Sequence, residues 1–246
     1  MALLEFRDVC KSYDDGPRST VVLDRVSFEL RHGDFGGLRG ARRSGKSVLL
    51  EIAAGLRRVD SGQVLVCGRD LASLGRDRRI EFLRGRVGLA CAEWRSQRRV
   101  PVIDYVATPL LSHGDVSRRR ARLGARRTLE RVGVTVYDDA CTAELSLSES
   151  VRVELARALV AGPSLLLVDE PPALRSPSEG KALYELLRSL GHDPELAVLV
   201  ASQDLDLVQR AERLFSLSRG RLRALSEPGA VVPFPDRRAA DGGRAS

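Results

Sequence analysis

The sequence predicts an α/β protein with a parallel sheet, an N-terminal antiparallel β subdomain and an inserted helical subdomain. Three features carry that expectation. The runs Leu165-Leu166-Leu167-Val168 and Leu196-Ala197-Val198-Leu199-Val200 lack polar alternation, which is how strands buried on both faces read, and a parallel sheet is their natural host. The N-terminal stretches Leu3 to Val9 and Val21 to Leu30 instead alternate with period two, as half-buried antiparallel strands do. From about Trp94 to Ala143 the pattern turns to Arg-rich helices such as Ser117 to Val132, which interrupt the α/β order.

Taken in order, Asp14-Asp15-Gly16-Pro17 is a turn between the two N-terminal strands. A short strand, Phe35 to Arg39, leads into a glycine-bracketed loop and then a helix carrying Val48, Leu49, Leu50, Ile52 and Ala53. Gly36, Gly37 and Arg39 weaken that strand, because a buried strand favours apolar side chains. A helix over Val151 to Val160 precedes the first apolar run, and a helix near Gly180 to Leu190 precedes the second. The helical subdomain spans about 94–160 of a domain covering 1–226, and residues 227–246, with Pro, Gly and Arg but no periodicity, are expected to be a disordered tail.

Composition narrows the function classes. In 246 residues, Lys plus Arg number 40 and Asp plus Glu 33, a net charge of +7, which suits a folded domain. No apolar run reaches the roughly 18 residues of a membrane helix, and the N-terminus lacks signal-peptide order, so the chain is expected neither to span a membrane nor to be exported by itself. Cys10, Cys67, Cys91 and Cys141 form no C-x-x-C pair, so they offer no zinc or redox site and fit a reducing cytosol. The basic excess is mostly Arg spread along the chain, and aromatics are 4%, too few for base stacking. Nucleic acid is therefore not expected as a partner, and Arg118-Arg119-Arg120 reads as a solvated face.

Gly40-Ala41-Arg42-Arg43-Ser44-Gly45-Lys46-Ser47 satisfies G-x-x-x-x-G-K-[ST] between a strand and a helix. Backbone N–H groups in such a loop curl around a phosphate chain at a helix N-terminus, where the dipole favours anions. Lys46 would reach the β- and γ-phosphates and Ser47 would hold Mg²⁺, with Val48 next in the helix. The apolar run ending in Asp169-Glu170 supplies the other half: Asp169 for Mg²⁺ through water, and Glu170 as general base toward the attacking water. Together they define a P-loop NTPase core using ATP and Mg²⁺, although an Asp-Glu pair can also simply solvate a strand end.

The order of these features resembles the nucleotide-binding subunits of ABC transporters, most closely the lipoprotein-release, macrolide-export and FtsE-like branch, over about residues 3–225. Ser61 to Arg69 is similar to the family's S-G-x-[IV]-x-[FV]-x-G turn, Val87 to Ala92 to the strand before the Q-loop, and Leu145 to Leu159 to the signature and its helix. The resemblance implies that Tyr13 stacks on adenine, although Tyr13 also reads as a half-exposed strand residue. It further implies that Ser146 in the signature reaches a partner subunit's ATP, that the second subunit makes a homo- or heterodimer, and that a separate membrane permease is engaged from the cytoplasmic face.

The departures fall where the chemistry is demanding. The signature glycines are Leu147 and Ser148, the Q-loop glutamine is Ala92 with Glu93 adjacent, and the switch histidine is Gln203. The D-loop reads Ala173-Leu174-Arg175-Ser176, and His32, His113 and His192 all lie away from the switch. Arg42 and Arg43 replace small P-loop residues, adding attraction for phosphate but also bulk that could close the cradle. These residues lead to an ATPase of weak activity, or alternatively to a non-hydrolysing nucleotide-binding partner of an active paralogue. An ABC-type protein acting on DNA or ribosomes would carry longer or tandem insertions.

Overall fold

The computed structural model describes residues 2–15, 18–90, 99–112, 116–135, 140–172, 174, 176–209 and 211–225. Strands β1 (Ala2–Asp15) and β2 (Arg18–Arg31) form the expected antiparallel hairpin, pairing Phe6 with Phe28 and Tyr13 with Thr20. β3 (Phe35–Arg39) leads through the loop into α1 (Lys46–Ala53). β4 (Ser61–Val66), β5 (Arg69–Asp70), α2 (Arg76–Leu83) and β6 (Val87–Ala90) follow. Next come α3 (Val102–Leu111), α4 (Arg118–Arg131) and α5 (Leu147–Leu159). The chain then alternates through β7 (Leu165–Asp169), α6 (Pro177–Gly191), β8 (Ala197–Ser202) and α7 (Leu205–Val208), and ends in the hairpin β9 (Arg213–Ser218) and β10 (Arg221–Ala224). The expected tail, 227–246, lies outside the described residues.

Two sheets result, one antiparallel in the order β2-β1-β4-β5 and one mixed in the order β10-β9-β3-β8-β7-β6. In the second sheet β9, β3, β8, β7 and β6 run parallel and only β10 is antiparallel. The unbroken apolar runs have a simple cause. Leu165, Leu167, Ala197, Leu199 and Ala201 face α1 and the antiparallel sheet, while Leu166, Val168, Val198 and Val200 face the helical side. Both faces are dry, so alternation has no use.

α3, α4 and α5 form the inserted helical layer. Ala121, Ala125 and Leu129 of α4 are fully buried at four-residue spacing, whereas Arg119, Arg120, Arg126 and Arg127 are exposed, so the helix is an amphipathic one with a solvated arginine face.

The glycines of β3 require a different reading from the one the sequence suggests. They are buried, and a Cβ at Gly37 would stand 2.6 Å from the Val208 carbonyl oxygen and 3.0 Å from Ala211 Cβ. At Gly37 the strand is thin because the end of α7 packs directly on its backbone, and at Gly36 a Cβ would stand 3.1 Å from the side chains of Leu30 and Leu199. Gly37→Val should cost about 1–3 kcal/mol, as forced overpacking does. For a chain of this size that lowers the thermal midpoint by about 2–4 °C per kcal/mol, and a scan that shows no shift would refute the close approach.

Candidate functional site

Three neighbouring parallel strands deliver the site residues to one edge. Arg39 at the end of β3 is level with Ser202 of β8, and Asp169 at the end of β7 is level with Ala201. The loop after β3, the acidic pair after β7 and Gln203 after β8 therefore meet at the carboxyl ends of the strands, where α/β sheets bind ligands. The loop and Gln203 border an open cleft of about 760 Å³, lined by Gly40, Ala41, Arg42, Arg43, Ser44 and Gln203 together with the β9–β10 turn; Asp169 and Glu170 do not line it.

Gly40 lets the loop close on itself. A Cβ there would lie 2.5 Å from Ser44 Oγ and 2.6 Å from the Leu217 carbonyl oxygen. Gly45, with φ of 102°, begins α1 without a side-chain cap and with no acidic residue in the first turn. The helix N-terminus is thus left to face an anion. Arg43 adopts a left-handed φ of 64°, a conformation costly for a residue with a Cβ. Arg42 and Arg43 are nevertheless exposed at the rim, so their bulk does not fill the cradle. Val48 is half-buried and packs into the core beneath α1.

Lys46 is 4% exposed. Its ammonium turns back on the loop, donating to the carbonyl oxygens of Gly40 at 2.7 Å and Ala41 at 3.1 Å, and it forms an ion pair with Glu170 at 3.2 Å. Glu170 itself is held in left-handed backbone, φ 44°, with its N–H bonded to the Ala201 carbonyl at 2.8 Å. Its Oε1 accepts the Gln203 backbone N–H at 2.7 Å. Glu170 and Gln203 are therefore joined through the backbone, a link that the identity of the Gln203 side chain does not affect.

Ser44 Oγ and Asp169 Oδ1 are buried polar atoms with no hydrogen-bond partner among the described residues. Burial pushes the Asp169 carboxyl up from its ordinary value, helped by the nearby Glu170 and Glu51 and opposed by hydrogen bonding to Ser47 and by the charge of Lys46. An unpartnered buried carboxylate oxygen beside the Ser47 hydroxyl is what a divalent cation would satisfy. The donor set thus fits Mg²⁺ with a triphosphate.

The raised Asp169 pKa has a definite sign. The folded state holds this proton more tightly than the unfolded chain, so metal-free stability falls as pH rises from the ordinary 3.8 through the raised value. Asp169→Asn should stabilise the metal-free protein at neutral pH by about 1–2 kcal/mol and remove the extra stabilisation given by Mg²⁺ with ATP. Thermal scans with and without the pair of ligands check both halves, and an unchanged or lowered metal-free midpoint would contradict the first.

The signature lies apart from this cleft, at the start of α5. Ser146 is the helix N-cap: its hydroxyl accepts the Glu149 N–H at 3.2 Å and donates to Glu149 Oε2 at 2.7 Å, while its own N–H donates to that oxygen at 2.9 Å. These bonds hold the Glu149 carboxyl below its usual range. Leu147 and Ser148 are the first residues of the helix itself, so their N–H groups are among those a helix leaves unpaired. Leu147 is half-buried yet outside the core clusters.

Tyr13 is not among the residues lining the cleft. Lys11 and Arg57 stand 5.3 and 5.6 Å from its ring centroid. Ala92, Glu93, Ala173, Arg175 and His113 lie outside the described residues, while Ser176 of the D-loop segment caps α6 through Glu179. His32 bonds the Glu195 carbonyl and His192 ends α6, both away from the cleft. Sequence reading missed Ser218 and Arg219, which line the cleft from the β9–β10 turn. Their only local signal is the Gly220 that closes the turn at φ 77°; the parallel pairing of β9 with β3 brings them to the loop.

Comparison with known proteins bears on this arrangement. The family model described as ABC transporter matches residues 23–173. The lipoprotein-releasing system ATP-binding protein LolD of Shewanella sp. strain MR-4 is 34% identical over 225 residues, covering 92% of this chain and 97% of that protein. LolD of Pseudomonas fluorescens is 34% identical over 224 residues, covering 91% and 98%. A dimeric bacterial ABC transporter cassette superposes with a TM-score of 0.82 at 23% identity, covering 91% of this chain and 99% of that one. A dimeric ATP-binding cassette in a post-hydrolysis state with ADP and Pi gives 0.81 at 24%, again over 91% and 99%. At those identities the structural likeness speaks to the fold.

Proposed function

The chain belongs to the ABC transporter ATP-binding family, and we propose that it is a weakly active ATPase subunit, peripheral on the cytoplasmic face of the membrane, that pairs with a second ATP-binding subunit on a separate permease. No helix among the described residues is long and apolar enough to cross a membrane. The relatives named LolD belong by name to lipoprotein-releasing systems, which supports an engagement with a membrane partner.

The observation that carries the reading is the meeting of Lys46, Asp169, Glu170 and Gln203 at the phosphate loop. Lys46 and the loop N–H groups would hold the triphosphate, and Ser47 and Asp169 the Mg²⁺. Bound Mg²⁺ would supply charge neutralisation for the departing phosphate. Glu170 stores its negative charge against Lys46 at 3.2 Å; drawing Lys46 toward phosphate would free that carboxylate to take a proton from water. Gln203 can donate an amide N–H to the γ-phosphate but has no titratable proton to transfer.

A second reading, a nucleotide-binding partner without hydrolysis, is favoured by Leu147 at the head of α5, because a branched side chain stands where close backbone approach is needed. Steady-state turnover of the purified subunit separates the two. A slow rate that disappears in Glu170→Gln supports the weak ATPase, no rate with ATP still bound supports the second reading, and turnover near the typical enzyme median of about 10 s⁻¹ would overturn both.

A further inference from the structure

At the far end of α1 from the phosphate loop lies a cavity of about 150 Å³, lined by Arg57, Arg58 and Arg79 with Ile52, Val64 and Leu71 among its apolar walls. α1 has 8 residues, so at 1.5 Å per residue the two ends are about 12 Å apart and the cavity is separate from the triphosphate site.

Arg79 is its floor. The residue is 8% exposed, and among the described residues its guanidinium makes one hydrogen bond, from Nε to the Gly55 carbonyl oxygen at 3.0 Å. Gly55 lies against it: a Cβ there would clash with the Leu83 side chain at 2.2 Å and touch the Arg79 stem at 3.4 Å. Arg57 and Arg58 are exposed at the mouth.

The charges at this place do not balance. Glu51 is committed to Arg57, Asp60 to Lys11 and Ser12, and Asp70 to the Ala72 N–H. Among the described residues neither Arg58 nor Arg79 has a carboxylate at ion-pair distance. Burial depresses the Arg79 pKa, and the like charges of Arg58 and Arg76 depress it further. A buried guanidinium with no carboxylate paired to it is costly, and the donors of its planar fork that remain are suited to an oxyanion.

We propose that this cavity binds a small oxyanion bearing a short aliphatic body, the chemistry of a phosphate monoester, with Arg79 and Arg58 on the anionic head and Ile52, Val64 and Leu71 on the carbon body. Inorganic phosphate shares the head and lacks the body, so it binds the same donors more weakly.

The test uses the full chain carrying Lys46→Ala, which silences the phosphate loop and makes the readout independent of ATP. Calorimetry and thermal scans titrate propyl phosphate, inorganic phosphate and chloride at matched ionic strength, with circular dichroism confirming the fold. Saturable binding of propyl phosphate is expected, tighter than inorganic phosphate by about fourfold per buried methylene, with no saturable response to chloride. Adding Arg79→Leu should weaken binding by about ten- to a hundredfold, the worth of hydrogen bonds to a charged group. If that variant fails to fold, Arg58→Ala at the exposed mouth should weaken binding without touching the core. No saturable binding, an equal response to chloride, or undiminished binding in the arginine variants would overturn the proposal.

Discussion

Lys46→Ala should raise the dissociation constant for Mg²⁺–ATP by about a hundredfold or more while leaving the protein folded. The ammonium is the one buried cation at the phosphate loop, and each charge-assisted hydrogen bond it could transfer from the Gly40 and Ala41 carbonyls to phosphate is worth about 1.5–3 kcal/mol. Its removal also strips Glu170 of its ion pair, leaving a second carboxylate beside Asp169 that no protein cation offsets when the triphosphate arrives. Like-charge repulsion then adds to the lost attraction. Calorimetry with circular dichroism on the same sample checks the result. Affinity within a factor of about two of the unaltered protein, well short of one lost hydrogen bond, would mean that nucleotide binds elsewhere. Arg42 and Arg43, exposed at the rim, are the nearest cations able to compensate.

The parts of this architecture written in local pattern were legible in the sequence. The runs 165–168 and 196–200 became central parallel strands because both of their faces are covered, and the loop from Gly40 to Ser47 was readable because backbone geometry there dictates residue type. What long-range pairing decides was not legible. The hairpin β9–β10 comes to line the cleft only because β9 joins the sheet beside β3, and nothing within its own residues signals that neighbour. α2 escaped notice because, apart from Leu83, its buried face is an arginine, which reverses the usual sign of the pattern. Gly37 misled because its cause, the Val208 carbonyl at the end of α7, is more than 160 residues away in sequence.

Restoring the signature and the switch should raise hydrolysis by roughly 10²–10³-fold, the scale of recovering a preorganised donor to transition-state charge. Ser146 already caps α5 through Glu149, so positions 147 and 148 begin a helix whose start is fixed. If close approach there limits the rate, Leu147→Gly with Ser148→Gly should accelerate a homodimer even with Gln203 unchanged. If proton-bearing contact at the switch limits it, Gln203→His should act alone, because the backbone link from position 203 to Glu170 at 2.7 Å survives the change and leaves the base in place. Both groups serve the same phosphate, so the triple variant should exceed the product of the separate gains. Steady-state turnover of the four proteins, with ATP affinity measured alongside, gives the answer. Flat turnover in the triple variant with ATP still bound would transfer the defect to the phosphate loop, where Arg43 sits in left-handed backbone, and Arg43→Gly would then be the change that restores the rate.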